Sequence, residues 1–195
     1  IRPLVLSRRS RSGMFLRPSP CDRVAAPMSA KTRHFVVAAV LSFLLDQATK
    51  LAVDAQLTFA DRISVIDGFF YLTHVRNPGA AFGLFADAPA PIRLTLFIGI
   101  TLVAIAMIFS FQRKLAPGDR FSALSLGLIL GGAAGNLIDR VLRGEVVDFL
   151  HFRLWGGYQW PDFNLADAFI VVGVAFLVID LLAAEGETHG DPAGA

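Results

Sequence analysis

The fold is decided by IRLTLFIGITLVAIAMIFSF, residues Ile92–Phe111. A helix rising 1.5 Å per residue crosses the hydrocarbon core of a bilayer in about 20 residues. This stretch has that length, and its apolar residues form a block rather than an amphipathic stripe. Lipid leaves open backbone groups unsatisfied, so the segment must be a helix. Three further blocks lie around it: Phe35–Val53, Phe121–Ile138 with no ionisable residue inside, and about Phe163–Ala184. The composition agrees. Of 195 residues, 54% are hydrophobic and only 17% charged, where a soluble domain carries about 25%. We therefore expect an all-α membrane protein with four transmembrane helices.

Charge in the flanks orients the spans. Lys31 and Arg33 precede the first, and Arg113, Lys114 and Arg120 fall in the loop 112–120. The long loop 54–91 holds only Arg62 and Arg76. Positive charge stays cytoplasmic, so the sequence predicts both termini inside (N-in/C-in) and loops 54–91 and 139–162 outside. The first thirty residues are rich in Arg and Pro and hold no apolar run of signal-peptide length. They read as a basic extension outside the fold, with Met28 the expected natural start. Residues 31–185 form the membrane domain, and 186–195 a polar cytoplasmic tail. The net charge of +2, with no basic run interleaved with aromatics, argues against nucleic acid as a partner. Cys21 is the only cysteine, which excludes an intramolecular disulfide and a thiolate metal site.

The outer loops carry structure of their own. Residues 62–75, RISVIDGFFYLTHV, are β-branched and aromatic around an Asp67-Gly68 turn, the pattern of a hairpin. Val146–Leu154 reads as another short strand, ended by Gly156-Gly157. Phe149, Phe152, Trp155, Tyr158, Trp160 and Phe163 crowd the second outer loop, and aromatics at that density suit the headgroup level. Gly127, Gly131 and Gly135 in the third span recur every four residues. Small residues on one face let a second helix approach closely.

Ionisable residues at membrane depth are rare and usually functional, each costing about 2.5–3.5 kcal/mol at a helix centre. Asp46 and Lys50 stand i, i+4 and share a face, so they are expected to pair. Asn136, Asp139 and Arg140 lie together at the outer end of the third span. An Arg beside Asp139 should keep that carboxylate ionised, which fits an orienting role. Asp148 lies in an apolar strand, and Asp167 lies one turn into the fourth span with Asn164 on its face. Neither has a cation at i±3 or i±4. Two such acids meeting at one membrane surface would share a proton, as in aspartic proteases. A proton relay in a small proton-coupled transporter would use the same residue types, so the residues alone leave both readings open. The two halves show no inverted repeat of the kind transporters carry. A scaffold without enzymatic activity would gain nothing from paired acids beside lipid. His74 and His151 show no metal-binding spacing with the acids, and neither metal nor cofactor is expected.

At these residues the chain resembles lipoprotein signal peptidase, also called signal peptidase II. Five short motifs carry the resemblance, in family order, through roughly residues 31–184. They are Asp46-Gln-Ala-Thr-Lys50, Arg76-Asn-Pro-Gly-Ala-Ala-Phe82, Gly132-Ala-Ala-Gly-Asn-Leu-Ile-Asp-Arg140, Val146-Val-Asp-Phe149 and Phe163-Asn-Leu-Ala-Asp167. The resemblance implies that Asp148 and Asp167 are a catalytic dyad. It implies that Asn77, Asn136, Asp139, Arg140, Asn164, Asp46 and Lys50 bind substrate or orient the site, and that the outer β-structure forms an extracytoplasmic cradle on the membrane surface. The implied partners are membrane lipid and prolipoproteins bearing a diacylglyceryl cysteine, with no obligate protein partner. The implied reaction is cleavage just before that cysteine, in the bacterial cytoplasmic (inner) membrane, at its extracytoplasmic face.

Overall fold

A computed structural model describes residues 28–59, 61–79 and 88–189. The expectations for the basic extension up to residue 27 and for the last residues, 190–195, lie outside the described residues. The α-helices and strands of the described residues follow in order: α1 (Ala30–Gln56), β1 (Arg62–Ile66), β2 (Phe70–Asn77), α2 (Ala90–Lys114), α3 (Arg120–Arg143), β3 (Val146–Phe152) and α4 (Leu165–His189), with a 3-10 turn at Trp155–Gly157 before α4. All four helices are long and apolar enough to cross a membrane. Large apolar side chains point outward along them, among them Val36, Leu44, Val103, Val174 and Ile179. In water such a surface would be an interaction patch; on a bundle of this length it is the face that meets lipid.

The helix ends follow local chemistry. Ser29 Oγ accepts the Thr32 N–H at 3.3 Å and opens α1. Asp119 does the same for α3 through the Ser122 N–H at 3.1 Å. Gly144, at φ 77°, closes α3 in the left-handed conformation. The observed helices overrun the expected spans. α3 continues to Arg143 rather than stopping at Ile138, so Asn136, Asp139 and Arg140 lie within the helix and project along it. α4 begins at Leu165 rather than Phe163, because Asn164 serves as its cap: the side-chain Oδ1 accepts the Asp167 N–H at 3.1 Å.

α3 is the central helix. It packs on α1 and on α4, while α2 rests mainly against α3. Its glycines explain the closeness. A Cβ at Gly131 would strike Ser42 and the Ala39 carbonyl of α1, and one at Gly132 would strike the Ala166 carbonyl of α4. Gly127 and Gly135 meet α1 in the same way. The four-residue spacing read from the sequence is thus the α1-facing stripe, and Gly132 serves the neighbouring helix.

The strands form one antiparallel sheet in the order β1-β2-β3. The β1–β2 hairpin turns at Asp67-Gly68, with Gly68 at φ 76°. Between β2 and β3, Val75 stands opposite Asp148 and Asn77 opposite Val146, after an irregularity between Leu72 and Val75. The sheet sits where α3 ends and α4 begins. It is fastened there by Val147 and Phe149, buried with Val53 of α1. Its outer side keeps Ile63, Val65, Phe69 and Trp155 exposed.

Candidate active site

The site begins with a buried cation. Lys50 Nζ donates to Asn136 Oδ1 at 2.8 Å and forms ion pairs with Asp46 Oδ2 at 2.9 Å and Asp139 Oδ2 at 2.8 Å. Lys50, Asp46 and Asp139 are fully buried. Such a cluster is tolerated because each charge faces an opposite one: Lys50 meets both acids, and Arg143 also meets Asp139. Asp46 Oδ1 also accepts the Ala166 N–H at 2.9 Å, one of the backbone donors that the first turn of α4 leaves open. Gln47 Nε2 donates to Asp46 at 3.1 Å and to the Gly135 carbonyl at 3.2 Å.

The pairing expected between Asp139 and Arg140 does not form. Adjacent helical residues point about 100° apart, and the two side chains part company. Asp139 turns to Lys50 and to Arg143, four residues on. Arg140 turns the other way, donating to the Asn136 carbonyl at 3.2 Å and the Gly79 carbonyl at 3.4 Å. Its guanidinium lies 5.2 Å from the Phe97 ring centre.

Asn136 carries the order of the Lys50 cluster to the two acids. Its Oδ1 is occupied by Lys50 and by Asn164 Nδ2 at 3.2 Å, so its amide nitrogen must face the other way. There it donates to Asp167 Oδ1 at 2.8 Å. Asp167 Oδ2 accepts the Asn164 N–H at 3.2 Å, while Asn164 Oδ1 accepts the Asp167 N–H. This is a reciprocal capping box, which fixes the Asp167 rotamer at the mouth of α4. Asn164 Nδ2 also donates to Asp148 Oδ1 at 2.6 Å. Asn77 Nδ2 donates to Asp148 Oδ2 at 2.8 Å, and Asn77 Oδ1 is held by the Gly79 N–H at 3.0 Å. Strand pairing sets Asn77 beside Asp148, and α3 and α4 bring Asn136 and Asp167. Every residue singled out in the sequence falls in this one connected network.

Among the described residues neither Asp148 nor Asp167 enters an ion pair. Both line a cavity of about 580 Å³ with Asn77, Asn136 and Arg140. The far wall is apolar, from Phe163 and Val146 to Ala168, Val171 and Val172. Asp148 is 2% exposed. Burial, and then the nearby charge of Asp167, push its carboxyl up to about 7, against the opposing hydrogen bonds from Asn77 and Asn164. Near neutral pH Asp148 is therefore poised to hold or release a proton. Among the described residues no three His, Cys, Asp or Glu side chains converge as a metal site would require.

Sequence reading missed a second tier. Asp54 Oδ1 accepts Arg76 Nη2 at 2.7 Å and lies 3.0 Å from His74 Nε2, and Asp54 Oδ2 lies 3.6 Å from Arg143. The signal was present: positions 46, 50 and 54 share one face of α1. The hub ties α1, β2 and α3 together beneath the site. Asp162, another cavity residue, accepts Thr73 Oγ1 at 2.7 Å and faces His151 Nδ1 at 3.2 Å. No local pattern announced it.

The comparisons with known proteins agree with this geometry. Residues 38–183 match the family described as Signal peptidase (SPase) II. The chain is 44% identical over 153 residues to a lipoprotein signal peptidase of Syntrophus aciditrophicus (strain SB), covering 78% of this chain and 94% of that one. It is 45% identical over 164 residues to the lipoprotein signal peptidase of Geobacter metallireducens, covering 84% and 99%. A solved bacterial membrane enzyme superposes with a TM-score of 0.71 at 33% identity, over 83% of this chain and 93% of that one. A four-helix membrane fold, a sheet at one end and an acid pair between them thus coincide with a family match across nearly the whole described chain, and the chain belongs to the signal peptidase II family.

Proposed function

We propose that this signal peptidase is an aspartic endopeptidase whose catalytic pair is Asp148 and Asp167. As a member of its family the chain removes signal peptides from prolipoproteins. The transporter reading that the residues alone left open finds no support in that family. The observation that carries the dyad is the shared cavity. Two carboxylates without ion-pair partners among the described residues open onto it, and they accept hydrogen bonds from N–H groups of Asn77, Asn136 and Asn164.

The chemistry follows from the proton count. Asp148, protonated near neutrality, donates to the scissile carbonyl oxygen. Asp167 takes a proton from a water as its oxygen attacks the carbonyl carbon. The tetrahedral intermediate then collapses. Asp167 delivers its proton to the leaving amine nitrogen, and Asp148 recovers one from the intermediate's hydroxyl. Both acids end as they began. The amide donors hold each carboxylate in place while its proton changes hands. Arg140 and Asn77, facing the same cavity, contact the substrate backbone.

The substrate detail rests on the cavity's two-sided character. Its polar side receives the peptide, and the wall of Phe163, Val171 and Val172 receives acyl chains. That fits cleavage just before a cysteine carrying diacylglycerol. Lys31, Arg33, Arg113, Lys114 and Arg120 lie at the opposite end of the bundle, a charge distribution that supports an acid pair at the extracytoplasmic face of the inner membrane. The test uses purified protein with lipidated and unlipidated precursors. Asp148→Asn and Asp167→Asn should each lower cleavage by at least about 10³-fold without lowering the melting temperature appreciably. Wild-type-like turnover in either variant would sink the dyad, and equal cleavage of the two precursors would remove the lipid requirement.

A further inference from the structure

A second cavity, about 390 Å³, lies away from the acid pair on the α1–α3–α4 side. Its walls are Val37, Leu41 and Leu45 of α1, Leu124 and Leu128 of α3, and Phe169 of α4. The glycines bind α1 and α4 each to α3, but α1 reaches α4 through the Asp46 carboxylate and the Ala166 N–H. Below that contact the two helices leave a groove over α3. Ser42, the polar group in its floor, spends its hydroxyl on the Ala38 carbonyl at 2.7 Å. Arg33 stands at the open end, exposed and in no ion pair among the described residues.

We propose that this groove is a binding site for one acyl chain of an anionic phospholipid, with Arg33 holding the phosphate. Positions 33, 37, 41 and 45 recur at i, i+4 and form one continuous stripe. The stripe runs about 18 Å at 1.5 Å per residue, close to the ~15 Å depth of one leaflet's hydrocarbon. A chain whose headgroup lies at Arg33 therefore ends beside Leu45 and Phe169. An apolar groove in contact with lipid gains dispersion contacts when a chain fills it. The surroundings favour an anionic head. Lys31, Arg113, Lys114 and Arg120 share this end of the bundle. Of the nearby acids, Asp119 is engaged in capping α3 and Asp180 accepts Ser122 Oγ at 2.5 Å. The site is independent of the acid pair, so the proposal stands or falls separately from the catalytic one.

The experiment is native mass spectrometry of the full chain, stripped in detergent and titrated with phosphatidylglycerol or phosphatidylcholine of matched chains. One lipid should be retained with about fivefold preference for phosphatidylglycerol, the ~1 kcal/mol expected of one surface cation. Arg33→Gln should erase the preference, with precursor cleavage in detergent unchanged as evidence of folding. Leu128→Trp, or Leu41→Trp from the lipid side should the first not fold, should fill the groove and reduce retention of both lipids. Equal retention of the two lipids by the wild type, an unchanged preference in Arg33→Gln, or displacement of the lipid by inorganic phosphate alone would each overturn the proposal.

Discussion

Replacing Lys50 by Met keeps the length of the side chain and removes its charge. The consequence can be worked from its three contacts. Asp139 retains Arg143, so its charge stays matched. Asp46 retains only neutral donors, Gln47 Nε2 and the Ala166 N–H. One carboxylate is then buried without a cation, a change worth about 3–5 kcal/mol of lost stability. In a chain of this size that corresponds to a fall of roughly 10 °C in melting temperature. Asn136 loses one of the two donors that fix its amide, so the hydrogen bond to Asp167 loosens and cleavage falls as well. A second substitution separates charge from packing. Asp46→Asn combined with Lys50→Met removes the uncompensated charge and should recover about 1–3 kcal/mol relative to Lys50→Met alone. Thermal unfolding of detergent-purified single and double variants reads both quantities. A Lys50→Met protein melting within 2 °C of the parent, roughly 1 kcal/mol, would refute the account, as would a double variant no more stable than the single.

Three further outcomes are expected. The proposed mechanism requires protonated Asp148, so kcat/KM should fall about tenfold per unit above pH about 7. Stability follows the same sign: the folded state binds the extra proton, so this contribution is full below 3.8 and is lost as pH rises towards about 7. Melting curves across that window should show the decline and Asp148→Asn should flatten it. Asn77→Ala removes a hydrogen bond that lowers the Asp148 value, so the alkaline limb of the rate profile should move to higher pH while the maximal rate drops. Gly131→Ala drives a methyl into Ser42 and the Ala39 carbonyl and should destabilise by about 1–3 kcal/mol. Gly99→Ala, where a methyl meets nothing within 4 Å, should be neutral or stabilising by up to about 1 kcal/mol; equal effects of the two in unfolding assays would mean the α1–α3 approach is not tight.

The four spans were legible because length and apolarity alone decide them. The hairpin was legible because Asp67-Gly68 sits between two β-rich runs. Residues three or four apart on one helix were also read correctly, and the Asp46–Lys50 pair formed as expected. What misled was adjacency. Asp139 and Arg140 are neighbours in the chain, yet a helix sends them to different partners, and the cation that meets Asp139 from α1 is 89 positions earlier in the sequence (139 minus 50). The Asp54 hub was hidden for the same reason, since His74, Arg76 and Arg143 arrive from two other elements. Asn164 was placed on the face of Asp167, but its position as the helix cap, which gives it a hand on both acids, belongs to the start of α4 and appeared only with the structure.

The bond from the Ala166 N–H to Asp46 joins residues 120 positions apart, and it bears on the order of synthesis. The chain emerges N-terminus first. When α1 to α3 are made, Lys50 already has Asp46, Asp139 and Asn136, so the three-helix precursor carries a neutralised interior. It has Asp148 but neither Asn164 nor Asp167. Only the last span delivers the second acid, the amide that bridges the pair and the N–H that locks Asp46. A ribosome-bound intermediate therefore lacks half of the proposed catalytic pair. The proposed dyad is completed only by the arrival of the final helix.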